Sequence, residues 1–355
     1  MKKSLIALAA LAASSAFAQS SVTIWGVADA GVAKQSQGGV SKTYLSSSGL
    51  SSSQLGFKGT EDLGGGMSAS FHFEAGLTVD NGTAAGVAFQ RRSTVDLAGG
   101  FGAIRLGRDY TPSFWNHTVF DPFGTLGSAS GSNITLGANA SGANPATAAR
   151  TNNGISYLYG FAPNAGSALG SGVYAQVTYA LGEQLSNNAT GQNGQYTGGR
   201  IGYAAGPLNV AGSYAKSKAA AGAVEFKETG IGGSYDLGVA KLMAKWGTND
   251  SNVAATKSTY WSVGAAVPVG AGYIPVSYNS IKTNNTAGSN ANQFGIGYVH
   301  NLSKRTAIYT AYSKLSNKAG AAYGFSGGNG GFASALGTAT NNGGTGYDLG
   351  LRHSF

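Results

Sequence analysis

The chain has 355 residues, with 58 glycines, 7 prolines and no cysteine, so collagen, proline-rich disorder, disulfides and thiol chemistry are excluded. Charged residues make up only 10% of the chain, against about a quarter in ordinary soluble domains, which disfavours a water-soluble fold. The formal net charge is +9, but no basic cluster is interleaved with aromatic residues, so no nucleic-acid partner is expected.

The first eighteen residues predict a secretory signal peptide. A basic start, Met1–Lys3, precedes an apolar stretch, Ser4–Ser15, and a small-residue cleavage site, Ala16–Ala18. The apolar stretch is too short for a membrane anchor. Removal of residues 1–18 would leave one domain, residues 19–355, of 355 − 18 = 337 residues. That domain has no apolar run of 18 residues, so a closed β-barrel is the structure left to it for crossing lipid.

Three amphipathic runs open this domain: Val22–Val32, Gln54–Thr60 and Met67–Ala75. Apolar and polar side chains alternate along them with period 2, as expected for strands with one lipid-facing and one lumenal side. On this pattern four polar side chains face the lumen and are candidate pore-lining residues: Asp29, Gln54, Lys58 and Glu74.

Thirteen further runs follow: Phe89–Leu97, Ala103–Arg108, Arg150–Tyr159, Val173–Ala180, Thr197–Ala204, Leu208–Lys216, Phe226–Tyr235, Val239–Trp246, Tyr260–Val267, Tyr273–Ile281, Gln293–His300, Thr306–Ser313 and Tyr347–Phe355. Sixteen strands in 337 residues leave about 21 residues for each strand and its connection, which suits a tilted membrane strand. In the run Val239–Trp246 the alternation points Lys241 and Lys245 into the lumen.

The connections between these runs alternate in length. Short ones are Ala98–Gly102, Ala205–Pro207, Asp236–Gly238, Pro268–Gly272 and Asn301–Arg305, and long ones are Lys34–Ser53, Asp109–Ala149, Leu181–Tyr196, Thr248–Thr259 and Lys314–Thr345. This alternation predicts a sixteen-stranded antiparallel transmembrane β-barrel whose long connections are extracellular. A soluble β-sandwich or propeller is the alternative, but it leaves the low charge and the alternating loops unexplained.

The connection Asp109–Ala149 is too long for an ordinary loop and carries aromatic residues that need burial. We therefore expect part of this third long loop to fold into the barrel and narrow the lumen. Its candidate lumenal residues are Asp109, Tyr110, Asp121 and Phe123. The section Asn133–Ala149 is rich in Gly, Ala and Asn, so one helical turn and an irregular chain both remain open for it.

Several ordered motifs carry a family resemblance: Leu55–Gly64, Phe101–Gly102, Leu106–Arg108, Asp121–Gly124, Leu302–Thr306 and Gly350–Phe355. With them the chain resembles the general porins of Gram-negative bacteria, in the group found in betaproteobacteria, over the whole of residues 19–355. The resemblance implies a homotrimer of sixteen-stranded barrels in the outer membrane, in contact with its lipid and lipopolysaccharide. It also implies that the third loop lies in each lumen.

The resemblance further implies a basic ladder on the pore wall that faces the acidic turn at Asp121. Carried over residue by residue, the ladder is Lys58, Arg91 and Arg150. Arg92 competes with Arg91, because simple parity from Phe89 points Arg92 inward whereas the family pattern favours Arg91. Family members often have an arginine where this chain has Gln54, which weakens any strong anion preference.

The last run ends on Phe355, with an apolar face on one side and a polar face on the other. A terminal aromatic residue of this kind suits the rim of a closed barrel. The resemblance implies that Phe355 is also the signal recognised by the barrel-assembly machinery. We therefore expect Phe355 to act in assembly rather than in conduction.

The function that follows is passive diffusion of small hydrophilic solutes and ions through an outer-membrane pore. The excess of positive charge predicts a weak to moderate preference for anions. A substrate-specific channel, for a sugar or a phosphate, is the alternative, since Trp25, Tyr110 and Trp115 are available for an aromatic track. No enzyme, cofactor or metal site is expected, because the four histidines show no catalytic or ligand spacing.

Overall fold

The computed structural model describes residues 21–82, 87–136, 148–162, 169–182, 192–219, 224–252, 256–285, 287–325 and 340–355. The predicted signal peptide, residues 1–18, lies outside the described residues and stays a prediction. The same holds for residues 137–147 of the third long connection.

The described chain forms antiparallel strands and two short helices. The strands are β1 (Ser21–Gln37), β2 (Val40–Ser47), β3 (Gln54–Gly64), β4 (Met67–Gly76), β5 (Arg92–Gly99), β6 (Gly102–Tyr110), β7 (Arg150–Tyr159), β8 (Gly172–Ala180), β9 (Tyr196–Ala205), β10 (Leu208–Ala219), β11 (Val224–Asp236), β12 (Lys241–Ser251), β13 (Thr256–Val269), β14 (Gly272–Thr283), β15 (Asn290–Asn301), β16 (Thr306–Lys318) and β17 (Gly344–Ser354). The helices, α1 (Pro112–Val119) and α2 (Ser132–Thr135), both lie between β6 and β7. Within the described residues, no helix is long and apolar enough to cross a membrane.

The sheet closes on itself. Each strand from β3 to β17 pairs with its neighbour in the chain, and β17 pairs with β1. Both β2 and β3 pair with β1, β2 along Ala30–Gln37 and β3 along Ser21–Val27, so together they occupy one position in the barrel. Seventeen segments therefore fill sixteen positions, and the predicted all-β, sixteen-stranded antiparallel barrel is confirmed.

Side chains alternate across the barrel wall as period 2 requires. On β1, Val22 and Ile24 are each 62% exposed on the outer face, whereas Asp29, of opposite parity, is fully buried on the inner side. The outer face of β17 likewise presents Leu349 and Leu351. An apolar outer belt around a polar interior is the arrangement of a barrel that faces lipid, since water would penalise so much exposed apolar surface.

The prediction is wrong for two of the long loops, because the structure has strands over most of their length. The segment Lys34–Ser53 is mostly a hairpin, because β1 continues to Gln37 and turns back into β2 through Gly38 and Gly39. Both glycines have positive φ, 59° and 83°, which is the backbone that a two-residue turn matched to strand twist needs. The segment Thr248–Thr259 is likewise mostly strand, since β12 runs to Ser251 and β13 begins at Thr256. The residues of these extensions are mostly polar, so the period-2 pattern of apolar and polar side chains did not mark them as strands.

The end of the chain seals the joint between the last and the first strand. The amide of Phe355 donates to the carbonyl oxygen of Gly26 at 3.0 Å, and the amide of Gly26 donates to the carbonyl oxygen of Phe355 at 3.1 Å. The Phe355 side chain is about half exposed on the outer face. The ring also lies over Gly26, where an added Cβ would lie 2.4 Å from the ring and 2.9 Å from the carbonyl oxygen of Gln54, so a larger residue there would displace the ring.

Candidate functional site

A cavity of about 770 Å³ lies inside the barrel. Its wall is made by residues of β1, β3, β4, β6, β7 and β14–β16, together with two segments that leave the sheet. One is the segment Ser48–Ser53, between β2 and β3. The other is the segment Thr111–Leu136, which we call the lumen segment and which carries α1 and α2. This cavity is the candidate functional site.

Three cationic side chains line one side of the cavity: Lys58 on β3, Arg91 before β5 and Arg150 at the start of β7. Glu74 on β4 is the one carboxylate among the described residues of the lining. Its Oε1 atom accepts a hydrogen bond from Nε of Arg91 at 2.5 Å. The one negative charge of this wall is therefore engaged by a neighbouring cation, and the wall keeps an excess of positive charge.

Tyr110 connects two of these cations. Its hydroxyl accepts hydrogen bonds from Nη2 of Arg91 and from Nη2 of Arg150, each at 2.5 Å. The Arg150 guanidinium also lies 4.1 Å from the centroid of the Tyr110 ring, within the range of a cation–π contact. Tyr110 is the last residue of β6 rather than part of the loop, so a barrel strand fixes its position. The two guanidinium groups are thus held in place before any solute arrives.

The structure distinguishes Arg91 from Arg92. The amide of Arg91 donates to the carbonyl oxygen of Glu74 at 3.1 Å, while Arg92 pairs with Glu74 in the β4–β5 ladder. Two consecutive residues thus oppose one, as in a β-bulge, and both side chains turn to the lumenal side. Arg91 lines the cavity, whereas Arg92 is only 1% exposed and is held by Asp109 at 2.6 Å. Arg92 therefore does not form part of the open wall, and parity alone misplaced it there.

Asp109 belongs to a buried ion cluster rather than to the loop. It lies on β6, where its carboxylate contacts Arg92 and, at 2.7 Å, Nη1 of Arg105. Arg105 also binds Asp96 at 2.6 Å, so two arginines and two aspartates balance each other with little exposure. Buried charges persist when they are paired and hydrogen-bonded in this way. The prediction of Asp109 as a lumen-loop residue is corrected to a structural residue of the wall.

Helix α1 brings aromatic side chains to the cavity. Thr111 caps it, since the amide of Phe114 donates to Thr111 Oγ1 at 3.3 Å, and Pro112 occupies its first turn, where no amide donor is needed. Phe114 and Trp115 line the cavity, and their rings lie 5.1 and 4.7 Å from that of Tyr110. The cationic wall is therefore continued by an aromatic surface.

The acidic side chains near the lumen segment fasten it to the barrel. Asp121 Oδ2 accepts from Lys245 Nζ of β12 at 3.0 Å, and His117 Nε2 lies 2.6 Å from Glu228 Oε1 of β11. On the other side, Asp348 of β17 accepts from the amide and the hydroxyl of Ser128, at 2.8 and 2.6 Å. The lumen segment therefore lies inside the barrel, tied to inward residues of strands far apart in the sequence.

Two predictions about this segment are corrected by these contacts. Asp121 was expected to face the basic ladder, but it is 5% exposed, and its carboxylate also accepts from the amides of Phe123 and Gly131 at 2.9 and 3.0 Å. Lys245 was expected to line the pore, but it is 5% exposed under the lumen segment. Lys241 has the same inward parity and is half-buried, but it does not line the cavity.

The remaining predicted residues divide into two groups. Gln54 and Phe123 both line the cavity. Asp29 does not, because it is fully buried beneath the segment Ser48–Ser53. Leu50 and the serines around it form a part of the wall that was not predicted. The available signal was a run of small polar residues between two strand patterns, beside a strand with an aspartate on its lumenal side. In the described residues, no group of three or more His, Asp and Glu side chains is arranged to hold a metal ion.

Comparisons with known proteins agree with this geometry. A family model described as Gram-negative porin matches residues 4–320. The chain is 40% identical over 366 residues to Outer membrane porin protein 32 of Delftia acidovorans, with 100% of each chain covered. It is 29% identical over 385 residues to an outer membrane porin protein of Bordetella pertussis, covering 89% of this chain and 95% of that one. Among solved structures, an anion-selective porin from Comamonas acidovorans is similar, with a TM-score of 0.78 and 35% identity, over 95% of this chain and 100% of that chain.

Proposed function

Because the chain belongs to the Gram-negative porin family, we propose that its cavity is the constriction of an aqueous pore that favours anions over cations. The family resemblance seen in the sequence is confirmed by the match. The protein is an outer-membrane channel for the passive diffusion of small hydrophilic solutes, and it is not an enzyme. The proposal concerns which side chains set its ion preference.

One observation carries the proposal. The three cations Lys58, Arg91 and Arg150 line the cavity, whereas its described lining residues include one carboxylate, Glu74. In a narrow aqueous gap with low-dielectric walls, fixed charges act more strongly on a passing ion than they do in bulk water. Excess positive charge there lowers the barrier for anions and raises it for cations. In this proposal Gln54 is an uncharged residue of the same wall, and Glu74 carries a negative charge that opposes the effect of the cations.

The placement of the other acids supports the same direction. Asp121, Glu228 and Asp348 are all taken up by contacts that fasten the lumen segment, away from the open wall. Asp121 is paired with Lys245 at 3.0 Å, so its charge is balanced within that ion pair and offsets the basic wall less than an open carboxylate would. The description of the Comamonas acidovorans relative as anion-selective adds support from a chain 35% identical to this one.

The test is the reversal potential of the purified channel in a planar bilayer with a KCl gradient. We expect a potential of anion sign. Lys58→Gln, Arg91→Gln and Arg150→Gln should each move it toward cations, and the triple variant should move it furthest. Lys216→Gln is the matched control, because Lys216 lies outside the cavity and pairs with Glu225 at 2.5 Å. A reversal potential of cation sign in the unchanged protein would contradict the proposal.

We further infer that the protein is a homotrimer in contact with outer-membrane lipid and lipopolysaccharide, with the long connections facing the cell exterior. Family membership supports this, as does an outward aromatic cluster, in which the Phe89 ring lies 5.2 Å from Phe73 and 6.0 Å from Phe57. Such a cluster suits burial against a second copy. The test is native mass spectrometry of the detergent-extracted protein, and a monomer under all mild conditions would contradict the inference.

A second candidate, a substrate-specific channel, is supported by the aromatic surface. Trp25, Tyr110 and Trp115 all line the cavity, next to cations that suit a phosphate or carboxylate. The test is block of the single-channel current by inorganic phosphate and by a neutral disaccharide. A block of the current that saturates with the concentration of one of these solutes would favour the specific channel. A change in current that stays linear in solute concentration up to high values would favour general diffusion.

A further inference from the structure

The segment Ser48–Ser53 interrupts a barrel strand in the middle of the wall. Along β1, Ala30 pairs with Ser47 of β2, and Val27 pairs with Gln54 of β3. Between these two pairs β1 has two residues, 28 and 29, whereas the opposite chain has six, 48–53. Four residues are therefore in excess of what a continuous strand would need.

The excess chain turns toward the lumen. Gly49, Leu50, Ser51 and Ser52 all line the same cavity as the cationic wall. The segment thus takes space from the pore in the way that the lumen segment does, but from a different side of the barrel. It is part of the wall that any solute in this cavity meets.

A single buried carboxylate holds the segment in this position. The side chain of Asp29 accepts hydrogen bonds from the amides of Gly49, Leu50 and Ser51, at 3.2, 2.9 and 2.6 Å. A fourth bond comes from the hydroxyl of Tyr309 on β16, at 2.7 Å. Consecutive amides that converge on one anionic group form a nest, and such charge-assisted bonds are stronger than neutral ones.

The backbone around Asp29 reinforces this anchor. The amide of Ser48 donates to the Asp29 carbonyl oxygen at 3.0 Å. Ser53 Oγ accepts from the Asp29 amide at 2.9 Å and donates to the Asp29 carbonyl oxygen at 2.8 Å. Both ends of the segment are thus hydrogen-bonded to the same residue of β1. This restricts the backbone between them and keeps it turned toward the lumen.

The segment also meets the lumen segment. A Cβ added to Gly127 would lie 2.6 Å from the carbonyl oxygen of Gly49, and a Cβ added to Gly49 would lie 2.3 Å from the Tyr309 hydroxyl. The two inward segments therefore approach each other at Gly127, where there is no room for a side chain, while Gly49 packs against Tyr309 of β16. Together they form a continuous inner wall of the cavity.

We propose that the segment Ser48–Ser53 is a second constriction element of this channel, and that Asp29 is the positioning residue that holds it there. Asp29 itself is fully buried and does not touch a passing solute. It acts on the pore through the segment. The inference concerns pore size, and it does not depend on the proposed anion preference.

The experiment measures single-channel conductance and the exclusion limit for polyethylene glycols of increasing size, on full-length protein in planar bilayers. In Asp29→Ala the three amides lose their shared acceptor and the segment is released. Deleting Gly49–Ser52 in an Asp29→Ser background leaves two residues opposite two, so the strand can run straight. Since conduction follows the dimensions of the narrowest part of a pore, we expect roughly a 1.5- to 2-fold higher conductance and a larger exclusion limit in both variants.

The controls separate positioning from folding. Gln35→Ala removes another inward, buried side chain of β1 that does not line the cavity, and it should leave both readouts unchanged. Asp29→Glu keeps the carboxylate and should restore part of the wild-type conductance. Tyr309→Phe removes one of the four hydrogen bonds and should give a smaller increase. Wild-type conductance and exclusion limit in the folded deletion variant would overturn the proposal, whatever the yield of Asp29→Ala.

Discussion

The hydroxyl of Tyr110 accepts a hydrogen bond from Arg91 and another from Arg150, both at 2.5 Å. These arginines come from two different parts of the barrel, since Arg91 precedes β5 and Arg150 is the first residue of β7. A single phenol thus sets the distance between two like charges that would otherwise move apart. Preorganised charges of this kind stabilise an ion without a further cost of reorganisation at the moment of passage.

Tyr110→Phe tests this arrangement. The ring remains to stack on Phe114 and Trp115, but both arginines lose their common acceptor. We expect a smaller shift of the reversal potential toward cations than either Arg→Gln variant gives, since both charges stay in the lumen. Excess current noise should accompany it, because the guanidinium groups gain freedom. Tyr214→Phe, on the outer face, is the control. An unchanged reversal potential and unchanged noise would show that the phenol has no such role.

Glu74→Gln should strengthen the preference for anions. The substitution removes the one carboxylate among the described residues of the cavity lining and releases Arg91 from its ion pair. A charge of this kind near the pore axis is worth on the order of 1 kcal/mol, or several-fold in the ratio of anion to cation permeability. The reversal potential measures that ratio directly. Glu225→Gln, which removes a carboxylate outside the cavity, should leave it unchanged. A shift toward cations in Glu74→Gln would show that Glu74 acts mainly by holding Arg91 in place.

The pair of Asp121 and Lys245 should behave as a structural tie. Their charged atoms lie 3.0 Å apart with side chains 1% and 3% exposed, so Lys245→Met leaves a buried carboxylate without its cation. Loss of one partner of a buried pair costs about 3 kcal/mol, and we expect a lower thermal unfolding temperature by circular dichroism. The double variant Asp121→Asn with Lys245→Met should recover most of that loss. Two single losses that simply add in the double variant would contradict the tie.

Deletion of Phe355 should impair assembly far more than conduction. The deletion removes two hydrogen bonds to Gly26 at the joint between the first and last strands, and with them the aromatic rim residue. We expect less protein in the outer membrane by quantitative immunoblot, with unchanged reversal potential for the channels that do form. Phe355→Tyr keeps the terminal aromatic residue and should assemble normally. Normal membrane levels combined with altered ion selectivity would reverse this assignment.

The architecture was largely predictable because its causes are local. A strand that faces lipid on one side and water on the other must alternate, so each of the sixteen predicted runs has a counterpart in the barrel. The sequence predictions of strand bounds fail where a strand shows no such alternation of apolar and polar side chains. There β1 continues to Gln37 and turns into β2 through residues that are mostly polar, so Lys34–Ser53 resembled a loop.

The charged residues of the lumen were harder to place. Parity correctly indicates that Asp29, Arg92 and Lys245 point inward, but inward does not mean open to the cavity. Each is covered by a partner remote in the chain: Tyr309 for Asp29, Asp109 for Arg92 and Asp121 for Lys245. A β-bulge shifts the inward and outward alternation by one residue. It places the side chain of Arg91 on the cavity wall, where Arg92 was also expected.

The sequence by itself therefore determined the barrel, its number of strands and the positive character of its interior, because these depend on period-2 alternation and on composition. Only the tertiary structure decided which charged side chains are exposed to a solute in the cavity and which are buried in ion pairs and hydrogen bonds. That outcome depends on side chains more than a hundred residues apart, such as Asp121 and Lys245, which come together only when the sheet closes around the lumen segment.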